Sequence, residues 1–348
     1  MNKRIITIFA GAGASKAVNP DQYPTTIEFF QSLPSVITND ELFKFIIQFL
    51  KKDTEVVDIE LVLWRLEELS QFCELAMDQH QLPGWLLTGN RLMLAINQKN
   101  NNVGHLVNIA KGASSRVKEL KDAINAQVYN LYSQLPSPDN LRETWIPLLK
   151  PLIKSKAKIE IVTTNYDVVL ESALDLLGEE LDVNVDTGWK GSIYRTLDPN
   201  LWTQQQKSGL LTKLHGSVNW TRDGQQIYIG DPTFKSSHSN HAIIYPGFKG
   251  RPTEPTFQAF HSHFRKALSQ SDSVIFIGFA FRDEHINDLC DRTISNQSRV
   301  VTIDPSPEIN LSFDHPESKT LHIKKGFDAE SAKEALEIIM GDISQSDS

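Results

Sequence analysis

Cysteine is nearly absent from this chain: two residues, Cys73 and Cys290, stand among 348. They lie far apart and in no partner motif, so neither a disulfide framework nor a cysteine-held zinc can be built from them. A reducing cytoplasm is the expected setting. The chain also lacks an apolar run long enough to span a bilayer, which predicts a soluble protein with no membrane role. Positive charge is in deficit, with 35 Lys and Arg against 43 Asp and Glu and a formal charge of −8. That removes the general electrostatic reason to bind DNA or RNA directly. No processing site follows the short apolar run at residues 1–10, which leads straight into a glycine turn and reads as a buried strand.

What is present is the composition of a folded enzyme-sized chain. Hydrophobic residues make up 40% and charged residues 22%, enough to fill the core of one large α/β domain with an insertion, or of two modest domains. Runs rich in β-branched residues predict buried parallel strands at Arg4 to Phe9, Lys158 to Thr163, Leu211 to His215, Ser273 to Gly278 and Arg299 to Ile303. Each run ends in a glycine-bearing or polar loop, and open α/β sheets bind ligands at the carboxyl ends of their strands. Residues 38–149 change character: Ile59, Val62, Leu63, Leu66 and Leu69 recur at helical spacing, predicting a helical insertion, with Trp64 in its core. Within it, Gln98 to Ser115, rich in Asn, Gly and Ser, reads as a loop. A second stretch, Gly188 to Pro255, reads as irregular around one short strand at His241 to Tyr245, and the polar tail after Met340 is expected to fray.

Three strand-end motifs carry chemistry. Gly11-Ala12-Gly13-Ala14-Ser15 follows the first strand, where glycines permit a tight turn and let backbone amides face a pyrophosphate. A plain strand-to-helix turn accounts for it equally well. The dinucleotide fingerprint is incomplete, because Lys16 stands where a third glycine would fall and no acidic residue ends a second strand some 20 residues on, which disfavours a hydride-transferring dehydrogenase. Thr163-Thr164-Asn165-Tyr166-Asp167 concentrates two hydroxyls, an amide and a carboxylate in one loop. Asn165 can hold a water or a ribose hydroxyl, and Asp167 can stabilise developing positive charge, cap the helix expected near Val168, or do both. Lys213-Leu214-His215-Gly216-Ser217 ends a strand in a histidine suited to accept a proton, with Gly216 permitting close approach of a ligand; an isolated histidine is more often structural, but this one shares its strand-end position with the other two motifs. His238, His241, His261 and His263 crowd one stretch, but their spacing matches no zinc signature, and they read as solvated loop residues with no metal expected.

In this order, the glycine loop, the Asn-x-Asp loop, His-Gly-Ser, Ile277-Gly278 and Val301-Thr302-Ile303-Asp304 resemble the sirtuin family, and within it the sirtuin-like proteins of bacterial antiviral defence. The resemblance spans nearly the whole chain. It implies a Rossmann-like parallel sheet of sirtuin type carrying a large helical insertion and no zinc module, since two isolated cysteines cannot replace the two Cys-x-x-Cys pairs of the deacetylases. By the same resemblance Gly11, Ala12, Gly13, Ala14 and Ser15 bind the phosphates of NAD. Asn165, Asp167 and Thr164 lie beside the nicotinamide ribose, His215 is the catalytic histidine with Gly216 behind it, and Ser15 and Thr25 help hold the ribose and ring. Gly278, Phe279 and Asp304 line the adenosine half, although Gly278-Phe279-Ala280 departs from the glycine-serine pair expected there.

The missing zinc module, the Asn19 to Thr26 segment in place of the deacetylase pattern, and the insertion imply cleavage of NAD without a protein substrate. The resemblance further implies an effector that depletes NAD on infection, held off by self-assembly into an oligomer or by a HerA-like ATPase or Argonaute-type sensor. The alternative is a module that senses NAD or ADP-ribose without turning it over, and a zinc-free deacylase or ADP-ribosyltransferase is the weakest reading.

Overall fold

Stretches that alternate apolar side chains become strands, and stretches with apolar residues three and four apart become helices. A computed structural model describes residues 4–52, 57–77, 102–155, 157–181, 189–190, 196–197, 210–223, 226–230, 241–243, 255–306, 311 and 313–341. Strand β1 (Ile5–Ala10) runs into α1 (Ala12–Val18), followed by α2 (Thr26–Gln31), α3 (Ser35–Thr38), α4 (Glu41–Leu50), α5 (Ile59–Met77) and α6 (Asn102–Tyr132). Helices α7 (Pro138–Glu143) and α8 (Trp145–Lys154) lead to β2 (Lys158–Thr163) and α9 (Val169–Leu181). Six strands come next: β3 (Trp189–Lys190), β4 (Thr196–Leu197), β5 (Leu210–Lys213), β6 (Gly216–Asp223), β7 (Gln226–Ile229) and β8 (His241–Ile243). Then follow α10 (Pro255–Gln270), β9 (Ser273–Ile277), α11 (Glu284–Thr293), β10 (Arg299–Ile303), β11 (Thr320–Ile323) and α12 (Ala329–Met340).

Six strands form one parallel sheet in the order β11-β10-β9-β1-β2-β5. Counted within the sheet this is the doubly wound Rossmann order, whose direction of winding reverses between β1 and β9. The expected α/β class and all five expected strands are therefore present, two with the expected ends and three with ends moved by one or two residues; β11 is a sixth strand that the sequence reading did not contain. Alternation assigns the faces. Phe9, Val162, Val274, Phe276 and Val300 share a buried cluster with Phe257, Phe260, Phe264 and Leu268 of α10, and Phe9 stands 5.3 Å from Phe264 and 5.8 Å from Phe276 between ring centres. Ile6, Ile8, Ile159, Ile161, Val301 and Ile303, one residue out of phase, are also buried; α8 packs against β2 and against α12.

Three expectations need correction. His261 and His263 are not solvated loop residues: both are buried on α10, where His263 Nε2 lies 3.0 Å from the Glu160 carboxylate of β2. On this helix His263 turns inward onto the Glu160 carboxylate, whereas His261 is buried against the His285 ring. His238 and residues 244–245 lie outside the described residues. The Gly188 to Pro255 stretch contains, besides β5, a second, antiparallel sheet in the order β3-β4-β7-β6-β8, whose strands of 2 to 8 residues are too brief for a clear alternating pattern. Asn102–Ser115 is helical, part of the 31-residue α6. Its Val103, Leu106, Val107, Ala110, Ala113, Val117 and Leu120 keep helical spacing, and propagation along one long helix outweighs the poor local propensity of Asn, Ser and Gly112. Residues 98–101 and 342–348 lie outside the described residues.

Backbone contacts divide the chain into two units, one of Met1–Thr25 with Tyr129–Ser348 and one of Thr26–Val128. The expected 38–149 insertion is thus shared: α7 and α8 belong with the parallel sheet, and the second unit begins earlier, at α2. That unit buries Phe43, Ile46, Leu50, Val62, Leu63, Leu66 and Ile124, and Asp40 caps α4 by accepting from the amides of Leu42 and Phe43 while pairing with Arg116. Among the described residues no helix is long and apolar enough to cross a membrane.

Candidate functional site

The carboxyl ends of β1 and β9 meet where the sheet order reverses, and three glycines make that meeting possible. Gly11 N donates to Ile277 O at 2.9 Å and Gly13 N to Gly278 O at 3.0 Å. A Cβ on Gly11 would fall 2.5 Å from Gly278 O, one on Gly13 2.8 Å from Gly278 Cα, and one on Gly278, whose φ is +56°, 2.3 Å from Ala14 N. The glycine loop is therefore tight because another backbone crosses it. Two of its amides are committed to that crossing.

The Asn-x-Asp loop is fastened to the same place. Thr163 Oγ1 donates to Ala10 O at 2.8 Å and accepts from Asn165 N at 3.0 Å. Asn165 Nδ2 then donates to Gly11 O at 2.8 Å and to Ser15 Oγ at 2.9 Å. Both amide hydrogens are thus turned inward, which leaves Oδ1 as the acceptor atom of the side chain. The Ser15 hydroxyl in turn hydrogen-bonds Asp167, so the glycine loop and the Asn-x-Asp loop share one network. Asp167 also starts α9, accepting from Val169 N at 3.0 Å, so it serves the helix and the cluster together.

Beneath this loop lies a buried cation. Lys213, at the end of β5, donates to the Asp167 carbonyl, to Glu171 Oε1 at 2.9 Å and to Ser217 Oγ at 2.8 Å. Ser217 Oγ and Val218 N both reach back to Tyr166 O, at 3.1 and 2.9 Å, which stitches the His-Gly-Ser motif to the Asn-x-Asp loop. Burial pushes the carboxyls of Asp167 and Glu171 upward, and the Lys213 charge is the main influence pulling them back. Tyr23, fully buried, hydrogen-bonds Gln134 O at 2.7 Å. Burial and then the charge of Asp167 raise its phenol above the usual range.

His215 borders the network with its ring 6.4 Å from that of Tyr166. Burial pushes it down to about 4, the neighbouring His285 adds to that, and the carboxylate of Asp283 opposes both. Asp283 Oδ2 lies 3.6 Å from His215 Nε2. His261 stacks on His285 with ring centres 5.2 Å apart and is pushed down to about 3, by burial first and then by His215, His285 and Arg265. Among the described residues, His215 Nδ1 and both ring nitrogens of His261 are buried without a hydrogen-bond partner.

The other expected site residues fall around this centre. Thr164 is half-buried next to Asn165, and Thr25 is half-buried just before α2. Gly216 has φ +82°, and a Cβ there would fall 1.9 Å from Ala242 O, so neighbouring strand β8 already demands glycine at this position. The Phe279 side chain joins the apolar cluster, edge-on to Phe9 at 4.6 Å, which leaves only its backbone to line a ligand site. Asp304 ends β10 and accepts from Ser306 N at 2.8 Å, beside Gly278, whose amide donates to Ile303 O at 2.9 Å. Sequence reasoning missed Lys213, Glu171, Asp283 and His285. A lysine inside an apolar strand run was a usable signal for the first; the others are recruited only by tertiary contact. Among the described residues, no group of three or more His, Cys, Asp or Glu side chains could hold a metal ion.

Residues 159–329 match the family model of the SIR2-like domain. The match includes Asn165, Asp167, His215, Gly278, Asp283 and Asp304 and stops short of the glycine loop. No curated protein matches by sequence. Among solved structures, a mutant Sir2 homologue bound to 2'-O-acetyl ADP ribose is 10% identical over 99% of this chain and 94% of its own, with a TM-score of 0.44. Sir2 with a p53 peptide and NAD+ is 13% identical over 97% and 94%, at 0.39. A structure solved to explain sirtuin substrate affinity is 11% identical over 98% and 95%, at 0.40.

Proposed function

We propose, from the match of residues 159–329 to the SIR2-like domain, that this chain is an NAD+ hydrolase that releases nicotinamide and ADP-ribose. One observation carries the reading: at the carboxyl ends of the central strands, an asparagine anchored by both amide hydrogens belongs to a loop-to-loop network, and a buried histidine held down to about 4 borders that network at Tyr166. Cationic nicotinamide is a good leaving group, so the protein's task is to orient the ribose, favour the oxocarbenium-like state and deliver water. Asn165 Oδ1 orients a ribose hydroxyl or the water. Asp167 and Glu171 are the acidic groups beneath the loop, pushed up by burial and drawn back towards the charged form by Lys213. The water oxygen bonds to the anomeric carbon as the bond to nicotinamide breaks, the electron pair leaves with nicotinamide, and the water proton passes to His215. A histidine that is neutral at pH 7 is ready for that role.

The reading extends to setting and partners. NAD depletion by an effector of bacterial antiphage defence requires the activity to be held off, and the Thr26–Val128 unit exposes Phe45 and Phe72, each 62% accessible, as surface for self-assembly or for a HerA-like ATPase or Argonaute-type sensor. A chain that stays monomeric in both resting and activated conditions rules out the oligomer.

The test is release of nicotinamide and ADP-ribose from NAD by purified protein, alone and with the products of neighbouring genes. Asn165→Ala and His215→Ala are each expected to lower turnover by roughly 10²–10⁴-fold. Tight NAD binding without turnover under every activating condition makes the protein a sensor instead.

A further inference from the structure

The loop between β9 and α11 is held under constraint. Phe281 has φ +51°, the one positive φ of a non-glycine residue among those described, and a bulky side chain adopts that conformation only where its surroundings impose it. Asn287, from the first turn of α11, clamps it by donating from Nδ2 to Phe281 O at 2.7 Å. Two residues later Asp283 caps α11, its Oδ1 accepting from His285 N at 3.0 Å and Ile286 N at 3.1 Å. Those two bonds fix the plane of the carboxylate and leave Oδ2 facing His215 Nε2 at 3.6 Å. On the far side of the imidazole, Nδ1 has no partner among the described residues.

We infer that Asp283 is a positioning residue for His215: its Oδ2 holds the ring in the form that carries its proton on Nε2, leaving the Nδ1 lone pair to accept a proton from the substrate side. The charges that face His215 come from three elements. Asp283 at the cap of α11 favours a proton on the ring, His285 of α11 and His261 of α10 oppose one, and the Tyr166 ring of the β2–α9 loop is neutral. Asp283 alone among these can stabilise the imidazolium formed when His215 takes the proton. The role attributed to Asp283 in turnover rests on the hydrolase reading; its effect on the ring does not.

Asp283→Asn separates the cap from the pairing. Asn caps helices about as well as Asp, and its carbonyl must keep the cap because the amides of His285 and Ile286 need an acceptor. The NH2 group then faces His215 Nε2 and turns an acceptor into a donor, so the ring must move its proton to Nδ1. Nitrogen-15 NMR of labelled histidine is expected to read Nε2–H in the wild type and Nδ1–H in Asp283→Asn, with kcat falling about 10²–10⁴-fold. Asp283→Ser, which keeps a capping oxygen without the reach, is expected to lose the Nε2 preference. A ring that keeps its proton on Nε2 in both variants overturns the inference. A wild type that does not hydrolyse NAD overturns the hydrolase reading instead, and the tautomer still decides the role of Asp283.

Discussion

Two clusters meet at the strand ends, and they treat their polar atoms differently. Around Asn165 the donors are spent within the protein: Asn165 and Lys213 give their side-chain hydrogens to Gly11, Ser15, Asp167, Glu171 and Ser217, and a single acceptor oxygen of this cluster, Glu171 Oε2, is left buried without a partner among the described residues. Around His215, buried nitrogens are left without partners, three of them on His215 and His261. An unmet buried polar atom costs about 1–3 kcal/mol. On the proposed reading, the first cluster is a frame and the second is where an incoming molecule makes its bonds.

The largest effect should come from removing the cation of the frame. Lys213→Met leaves Asp167 and Glu171 buried with no counter-charge and is expected to cost about 3–5 kcal/mol of unfolding free energy, read by urea denaturation at pH 7. A loss below roughly 1 kcal/mol would erase the distinction between frame and reception site.

Acid should act chiefly on the other cluster. An unfolded histidine titrates near 6.5, whereas His215 and His261 in the fold are held down to about 4 and about 3. Between those values the unfolded chain binds more protons. The stability these residues contribute is therefore complete above pH 6.5 and lost as the pH falls through 4 towards 3. Asp167 and Glu171, raised in the fold, work in the opposite sense, so the informative quantity is a difference. His261→Phe should leave stability at pH 7.5 within about 1 kcal/mol and reduce the acid loss by up to about 1.4 kcal/mol for each pH unit below 6.5. Identical pH dependence in the two proteins would mean that His261 is satisfied in solution.

The smallest effect sharpens the frame. Ser15→Ala removes the hydroxyl that joins Asn165 to Asp167 and is expected to cost about 1–2 kcal/mol, measured by thermal unfolding, while lowering turnover more than NAD affinity.

The sequence made the sheet legible because parallel strands buried on both faces read as continuous β-branched runs. Thr320–Ile323 escaped because an edge strand of four residues with alternating exposure carries little of that signal. The motifs at Asn165 and His215 were visible for a related reason: polar residues at the ends of such runs stand out. What could not be read is what holds them. Asn165 is oriented by atoms 150 and 154 positions away, and Asp283 looks in sequence like a helix cap and nothing more. The need for glycine at positions 11 and 13 was readable, but its cause, the backbone of Gly278, was not.

The strand order also bears on how the chain is born. β1 is central, and one of its two flanks, β9, is translated more than 260 residues after it: Ile6 pairs with Ser273 and Ala10 with Ile277. Until then β1 has only β2 beside it, and the flank that will receive β9 is a bare strand edge. The crossing of Gly11 and Gly13 over Gly278 cannot form earlier either. A nascent chain therefore cannot bring the glycine loop and the β9 end together before Gly278 has been translated, and the proposed hydrolysis of NAD would have no competent form until then.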